Sequence, residues 1–136
     1  MLDAREEAPG AAHRNMYLDD KGAVIAGQSL DGAKAAAIPG LPAGLVHLAS
    51  HYGNLPLSRS LAPAVRLAKE GFDVTPRYTA MAQVRLAALR KDAVTASIFL
   101  KENAAPKPGA WIQQPDLART LEALATGGHA GFYAGE

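Results

Sequence analysis

Apolar positions are scattered over residues 1–40 and become periodic from Leu41 onward, a change that divides the chain before any motif is considered. In the first stretch Ala, Gly and Pro are frequent, and Leu2 to Ala4 reads as a strand end. Asp19, Asp20 and Gly22 predict a turn between Met16-Tyr17-Leu18 and Val24-Ile25. The expectation is an irregular arm with little core of its own. From Leu41, the residues Leu45, Val46, Leu48, Ala49 and Tyr52 recur at spacings of three and four, with Gly53 where a helix would stop. A second helix is predicted from Ser58 or Ser60, either of which can accept from a first-turn amide, with Pro63 tolerable because it lies near that beginning. Leu61, Ala64, Val65 and Ala68 form its apolar stripe. Gly71 ends it, and Phe72 and Val74 lead back toward the core.

Thr75-Pro76 reads as an N-cap followed by proline at the first helical position, opening a third helix to about Lys91. Met81, Val84, Ala88 and Leu89 are expected on its inner side, with Arg85, Arg90 and Lys91 supplying charge elsewhere and cations near its end. Ala96 to Leu100 is a short apolar run that suits a helical turn or a strand. "NAAPKPGA" at 103–110 is a loop. Pro115 opens a fourth helix through about Thr126, with Leu117, Leu121, Leu124 and Ala125 inward and Gly127-Gly128 as its stop. Phe132 and Tyr133, in the closing "GFYAGE", are expected to form a packing plug. The fold class is mostly α, with about four helices behind the arm, and no repeat of fixed period is present.

A length of 136 residues suits one domain with a single core, an arm over 1–40 and a helical region over 41–136. Fourteen Lys and Arg balance 13 Asp and Glu without long blocks of either sign, so no footprint for nucleic acid or an anionic membrane is present. The absence of cysteine removes thiolate and disulfide chemistry and leaves the compartment open. No apolar run approaches the ~20 residues of a membrane helix, and the first residues are charged where a signal peptide is apolar.

Four histidines, His13, His47, His51 and His129, invite a metal reading, and His47 with His51 has the i, i+4 spacing that shares a helix face. The companion glutamate of a zinc-protease helix is missing between them, so these residues read as surface or cap histidines, with no metal or cofactor expected. "GGHAG" at 127–131 lacks the lysine of a phosphate loop and reads as a helix stop. Ser29, Ser50, Ser58, Ser60 and Ser97 have no G-x-S-x-G context, and no catalytic residue is assigned. Arg5, in "LDAREEAP", is the remaining candidate. Its planar guanidinium suits two-point capture of a carboxylate, and the following proline stiffens the backbone. The alternative is a frayed terminus in which Arg5 pairs loosely with Glu6 or Glu7, and composition alone favours that alternative.

"AREEAP", "MYLD", "AAIPGLPAGL", "YGNLPLSRSLAPAVRLAKEGFDV" and "GFYAG" occur in the order found in γ-glutamyltransferases, and the chain resembles a segment of their large subunit over nearly its whole length. The match is strongest from Ala36 to Val74 and weakest from Ala80 to Thr95. The resemblance implies an N-terminal-nucleophile hydrolase of αββα architecture, of which this chain would be a helical part. It implies self-cleavage and a terminal threonine on a small partner subunit that attacks the γ-glutamyl amide of glutathione. It also implies transfer to amino acids, peptides or water, and a periplasmic or secreted location. Arg5 matches the arginine that holds the α-carboxylate of the γ-glutamyl group. None of Thr75, Thr79, Thr95, Thr120 and Thr126 stands in the family's Thr-Thr-His-like cleavage context, and its oxyanion glycines and serines are absent, so the chain alone is expected to be inert. Uncovered apolar faces suggest self-association as a homo-oligomer. The rival readings are a cephalosporin acylase-like or poly-γ-glutamate-processing enzyme of the same superfamily, and a helical interaction module without chemistry.

Overall fold

The computed structural model describes residues 1–134; Gly135 and Glu136, the last residues of "GFYAGE", lie outside the described residues. The helices are α1 (Leu41–Tyr52), α2 (Leu57–Glu70), α3 (Pro76–Val84), α4 (Leu86–Leu89), α5 (Ala93–Phe99) and α6 (Pro115–Tyr133), with short strands β1 (Phe72–Asp73) and β2 (Trp111–Ile112). The helical majority is as expected, but the four helices anticipated are six among the described residues. The third is interrupted, and the undecided run at 96–100 belongs to α5, with Leu100 just past its end.

The centre of the molecule is the packing of α2 on α6, with α1 set against both. Ala68 of α2, Ala118 and Leu124 of α6, Val74 beyond β1 and Ile112 of β2 are all buried there. Gly71 ends α2 at φ 103°, a conformation that L side chains rarely adopt, and its amide closes on the Leu67 carbonyl at 2.9 Å. The chain then turns into β1, which pairs antiparallel with β2 in the register Phe72 to Ile112 and Asp73 to Trp111. That pairing positions Trp111 Nε1 and Gln113 Nε2 to donate to the Glu70 carbonyl at 3.0 Å each, which satisfies an end of α2 that its own backbone leaves open. The predicted return of Phe72 and Val74 toward the core is what the structure shows.

Helix starts agree less evenly with the sequence. Thr75 caps α3 as expected, its side chain accepting from the Tyr78 amide at 3.2 Å. By contrast α2 starts at Leu57 with Pro56 as the capping residue and no side-chain bond, so neither Ser58 nor Ser60 caps it. Pro63 therefore sits inside the helix rather than at its beginning, where it removes one backbone bond. Helix α5 starts on Asp92, whose carboxylate accepts from the Thr95 amide at 2.7 Å.

Several residues expected inside are outside. In α3, Ala82 is buried while Met81 and Val84 are exposed, and in α6 Ala118 is buried while Leu117 is half exposed. On α2 Ala64 is exposed, and on α1 Leu45, Leu48 and Tyr52 face solvent while Gly44 is its one buried residue. Close helix approach selects the small residues for the contacts, so the larger side chains beside them are turned away. The stop expected at Gly127-Gly128 is a break instead. Gly128 leaves helical geometry at φ 56° and ψ −136°, and the chain then resumes helical turns to Tyr133.

The arm has the predicted turn. Leu18 and Val24 form an antiparallel bridge, Gly22 takes φ 80°, and Asp19 Oδ1 accepts from the amides of Lys21 and Ala23. No strand forms at Leu2–Ala4; the backbone pairing occurs between Glu7 and Ile38.

Candidate substrate-binding site

The arm crosses the first turn of α1, and the contact is made by two glycines one helical turn apart. A Cβ added at Gly40 would stand 1.8 Å from the Arg5 carbonyl oxygen, and one added at Gly44 would stand 2.5 Å from the Ala4 Cβ. Just beyond, the Glu7 amide donates to the Ile38 carbonyl at 3.0 Å and the Ile38 amide returns the bond at 2.9 Å. Arg5's own amide donates to Asp3 Oδ1 at 3.1 Å. The backbone of Arg5 is thus held on both sides, which answers the fraying reading for the main chain. Its side chain is another matter.

The Arg5 guanidinium is 80 % exposed, and its Nη2 lies 2.7 Å from Glu6 Oε1. The hydrogen bond that Arg5 donates to Glu6, then the charge of Glu6, raises the Arg5 pKa still further, and the same bond holds the Glu6 carboxyl below its ordinary range. This is the neighbour pair anticipated for a loose surface arginine. In water such a pair is weak and exchanges readily, so a better-placed carboxylate can displace Glu6.

Arg5 lines a cleft of about 610 Å³ formed between the arm, α1 and the end of α6. The far ends of the chain meet here. The Tyr133 hydroxyl donates to the Pro39 carbonyl and accepts from the Ala43 amide at 3.3 Å, occupying one of the free donors at the start of α1. Tyr133 is therefore a plug as expected, but it closes the arm–helix junction rather than the α2–α6 core. Its ring stacks on His129 with centroids 4.5 Å apart, and the neighbouring Phe132 meets it edge-on.

Three of the four histidines, His47, His51 and His129, line this same cleft, while His13 lies in the arm and is not part of it. Reading each histidine against its own helix did not bring them together with Arg5. The available signal was the small-residue pair Gly40 and Gly44, which marks where another segment must approach α1. No group of three or more His, Cys, Asp or Glu among the described residues is placed to hold a metal. No described helix is long and apolar enough to cross a membrane.

Comparison with known proteins gives this geometry a context. A relative named glutathione hydrolase proenzyme, from Pseudomonas aeruginosa, is 42% identical over 134 residues, covering 98% of this chain and 23% of its own length. An acylase ACY 1 proenzyme from a Pseudomonas species, strain V22, is 33% identical over 146 residues, covering 100% of this chain and 25% of its own length. The crystal structure of Helicobacter pylori γ-glutamyltranspeptidase superposes with a TM-score of 0.92 at 35% identity, over 98% of this chain and 39% of that one. The chain spans about a quarter of the length of the curated relatives it matches. The family profile described as gamma-glutamyltranspeptidase matches residues 1–136, the whole sequence. A mostly helical arrangement shared with that crystal structure, together with this match, shows that the chain belongs to the γ-glutamyltranspeptidase family.

Proposed function

We propose that this chain is part of a γ-glutamyltransferase that cleaves the γ-glutamyl amide of glutathione and passes the acyl group to an amino acid, a peptide or water, and that Arg5 grips the donor's α-carboxylate. The observation that carries this reading is an exposed guanidinium on a fixed backbone at a cleft, paired among the described residues with an adjacent exposed carboxylate that a ligand can replace. A carboxylate entering the cleft can take two parallel hydrogen bonds from the planar fork. In this reading residues 1–136 act as one unit: the arm carries Arg5, and the helical region supports the arm through Gly40, Gly44 and Tyr133.

The nucleophile in this proposal is the terminal threonine of a small partner subunit produced by self-cleavage, and the complete protein acts in the periplasm or outside the cell. Relatives named as proenzymes support a processed precursor. Several threonine hydroxyls of the chain are engaged by its own backbone. Thr79, Thr120 and Thr126 donate to backbone carbonyls, and Thr75 accepts from a backbone amide. Catalysis by acyl transfer needs an activated hydroxyl and charge stabilisation at the oxyanion, and neither is assigned to these residues.

The test is made in the complete enzyme. Arg5→Ala is expected to process normally on a gel but to lose roughly 10- to 100-fold in kcat/KM for a γ-glutamyl anilide, the scale of a lost charge-assisted contact. A donor analogue lacking the α-carboxylate should be cleaved equally by both forms. Equal discrimination between the two donors before and after substitution overturns the assignment. The same comparison separates this reading from an acylase-like one, in which the α-carboxylate has no partner.

A further inference from the structure

His47 and His51 lie on one face of α1, with ring centroids 4.1 Å apart and ring planes 26° from parallel. Both residues are exposed, so neither ring is locked by core packing. His51 Nδ1 lies 2.9 Å from the His47 carbonyl oxygen. A carbonyl oxygen can only accept, so Nδ1 carries a proton, and in the neutral ring Nε2 is the nitrogen left to coordinate. An imidazole anchored through one nitrogen to a backbone carbonyl is the arrangement found behind metal-bound histidines, where the anchor fixes both tautomer and ring direction. The i, i+4 spacing supplies the second imidazole one turn away on the same helix face.

We propose that His47 and His51 form a two-point binding site for a divalent transition-metal ion. Two neutral imidazoles select Cu²⁺, Ni²⁺ and Zn²⁺ over oxygen-preferring Mg²⁺ and Ca²⁺, with Cu²⁺ held most tightly. Water completes the coordination, because no third His, Cys, Asp or Glu among the described residues joins the pair. The two histidines line the cleft that Arg5 also lines, and the proposal does not rest on the role given to Arg5.

Titration calorimetry with Ni²⁺ tests it in the complete protein, using the His13→Ala variant as a control away from the site. Wild type and His13→Ala are expected to bind alike, while His47→Ala and His51→Ala each weaken binding by roughly tenfold or more, at least the loss seen when an outer-shell partner is removed. A further variant combines H51A with Y52H, which keeps the number of histidines but changes their spacing, and it should show the same loss. Circular dichroism establishes that each variant retains its helices. Wild-type affinity in either single alanine variant, or in the respaced one, overturns the proposal.

Discussion

Gly40 shows how a residue without a side chain can decide where another residue's side chain goes. Its place is taken up by the Arg5 carbonyl, which would stand 1.8 Å from any added Cβ, and that neighbour is backbone that cannot swing aside. Gly40→Ala is therefore expected to push the arm off α1, at a cost of roughly 1–3 kcal/mol typical of overpacking. Hydrogen exchange can read this locally: the amides of Glu7 and Ile38, which bond each other's carbonyls, should lose protection while those of the α2–α6 interior keep theirs. Retained protection at both would show that the arm does not depend on this contact. In the sequence Arg5 was legible only as a candidate grip for a carboxylate, with a loose pair to Glu6 or Glu7 favoured by composition, and the pair with Glu6 is present. Its setting was not legible, because Gly40, Pro39 and Tyr133 act on it from positions far along the chain.

At the scale of elements, the legible features were those written in adjacent residues. Thr75-Pro76 and Gly71 marked the ends of their helices through local backbone chemistry alone, and both are where expected. Thr75→Ala is expected to cost about 1 kcal/mol through the lost cap, seen as a lower denaturant midpoint with an unchanged slope. The features that escaped depend on contacts across the chain. The helix expected to run to Lys91 breaks at Arg85, whose Nη2 lies 2.6 Å from Asp31 Oδ1 in the arm, while Lys91 reaches Asp31 Oδ2 at 3.5 Å. No local pattern marks that partner, 54 residues away.

This link also has a pH signature. The Asp31 carboxyl is held below its ordinary range, first by the hydrogen bond from Arg85 and then by the charges of Arg85 and Lys91, against the effect of desolvation. A carboxyl depressed in the folded state stabilises it fully above the unfolded pKa and loses that contribution as pH falls through the lower folded value. The Asp31→Asn variant should accordingly show a flatter loss of stability below about pH 4, the unfolded carboxylate range. Denaturant midpoints collected from pH 2 to 6 supply the comparison, and parallel curves for the two forms would exclude the link as a source of acid sensitivity.

For the whole molecule, the periodic pattern placed helices from Leu41 onward but missed the break at Arg85, took the one at Gly128 for a stop, and named several wrong occupants for the contacts. The interior uses Ala68, Ala82 and Ala118 where helices come close, leaving larger apolar side chains on the outside. Leu48 is 45%, Leu55 61% and Tyr52 76% exposed, and these residues with Leu45 and Leu57 border a second cleft of about 500 Å³. Contiguous apolar surface of this kind is uncommon on a free monomer, since covering it releases ordered water at little conformational cost. The 136-residue chain is therefore expected to self-associate as its concentration rises. Leu48→Glu together with Leu55→Glu places charge within the patch without touching the α2–α6 core, and should shift the equilibrium toward monomer while leaving the helical signal unchanged. Light scattering over a concentration series separates the outcomes: growth in mass for the parent chain and a constant monomer mass for the double variant support the apolar patch as the cause. A constant monomer mass in both would show that these side chains are accommodated by solvent, and equal growth in both would move the associating surface elsewhere.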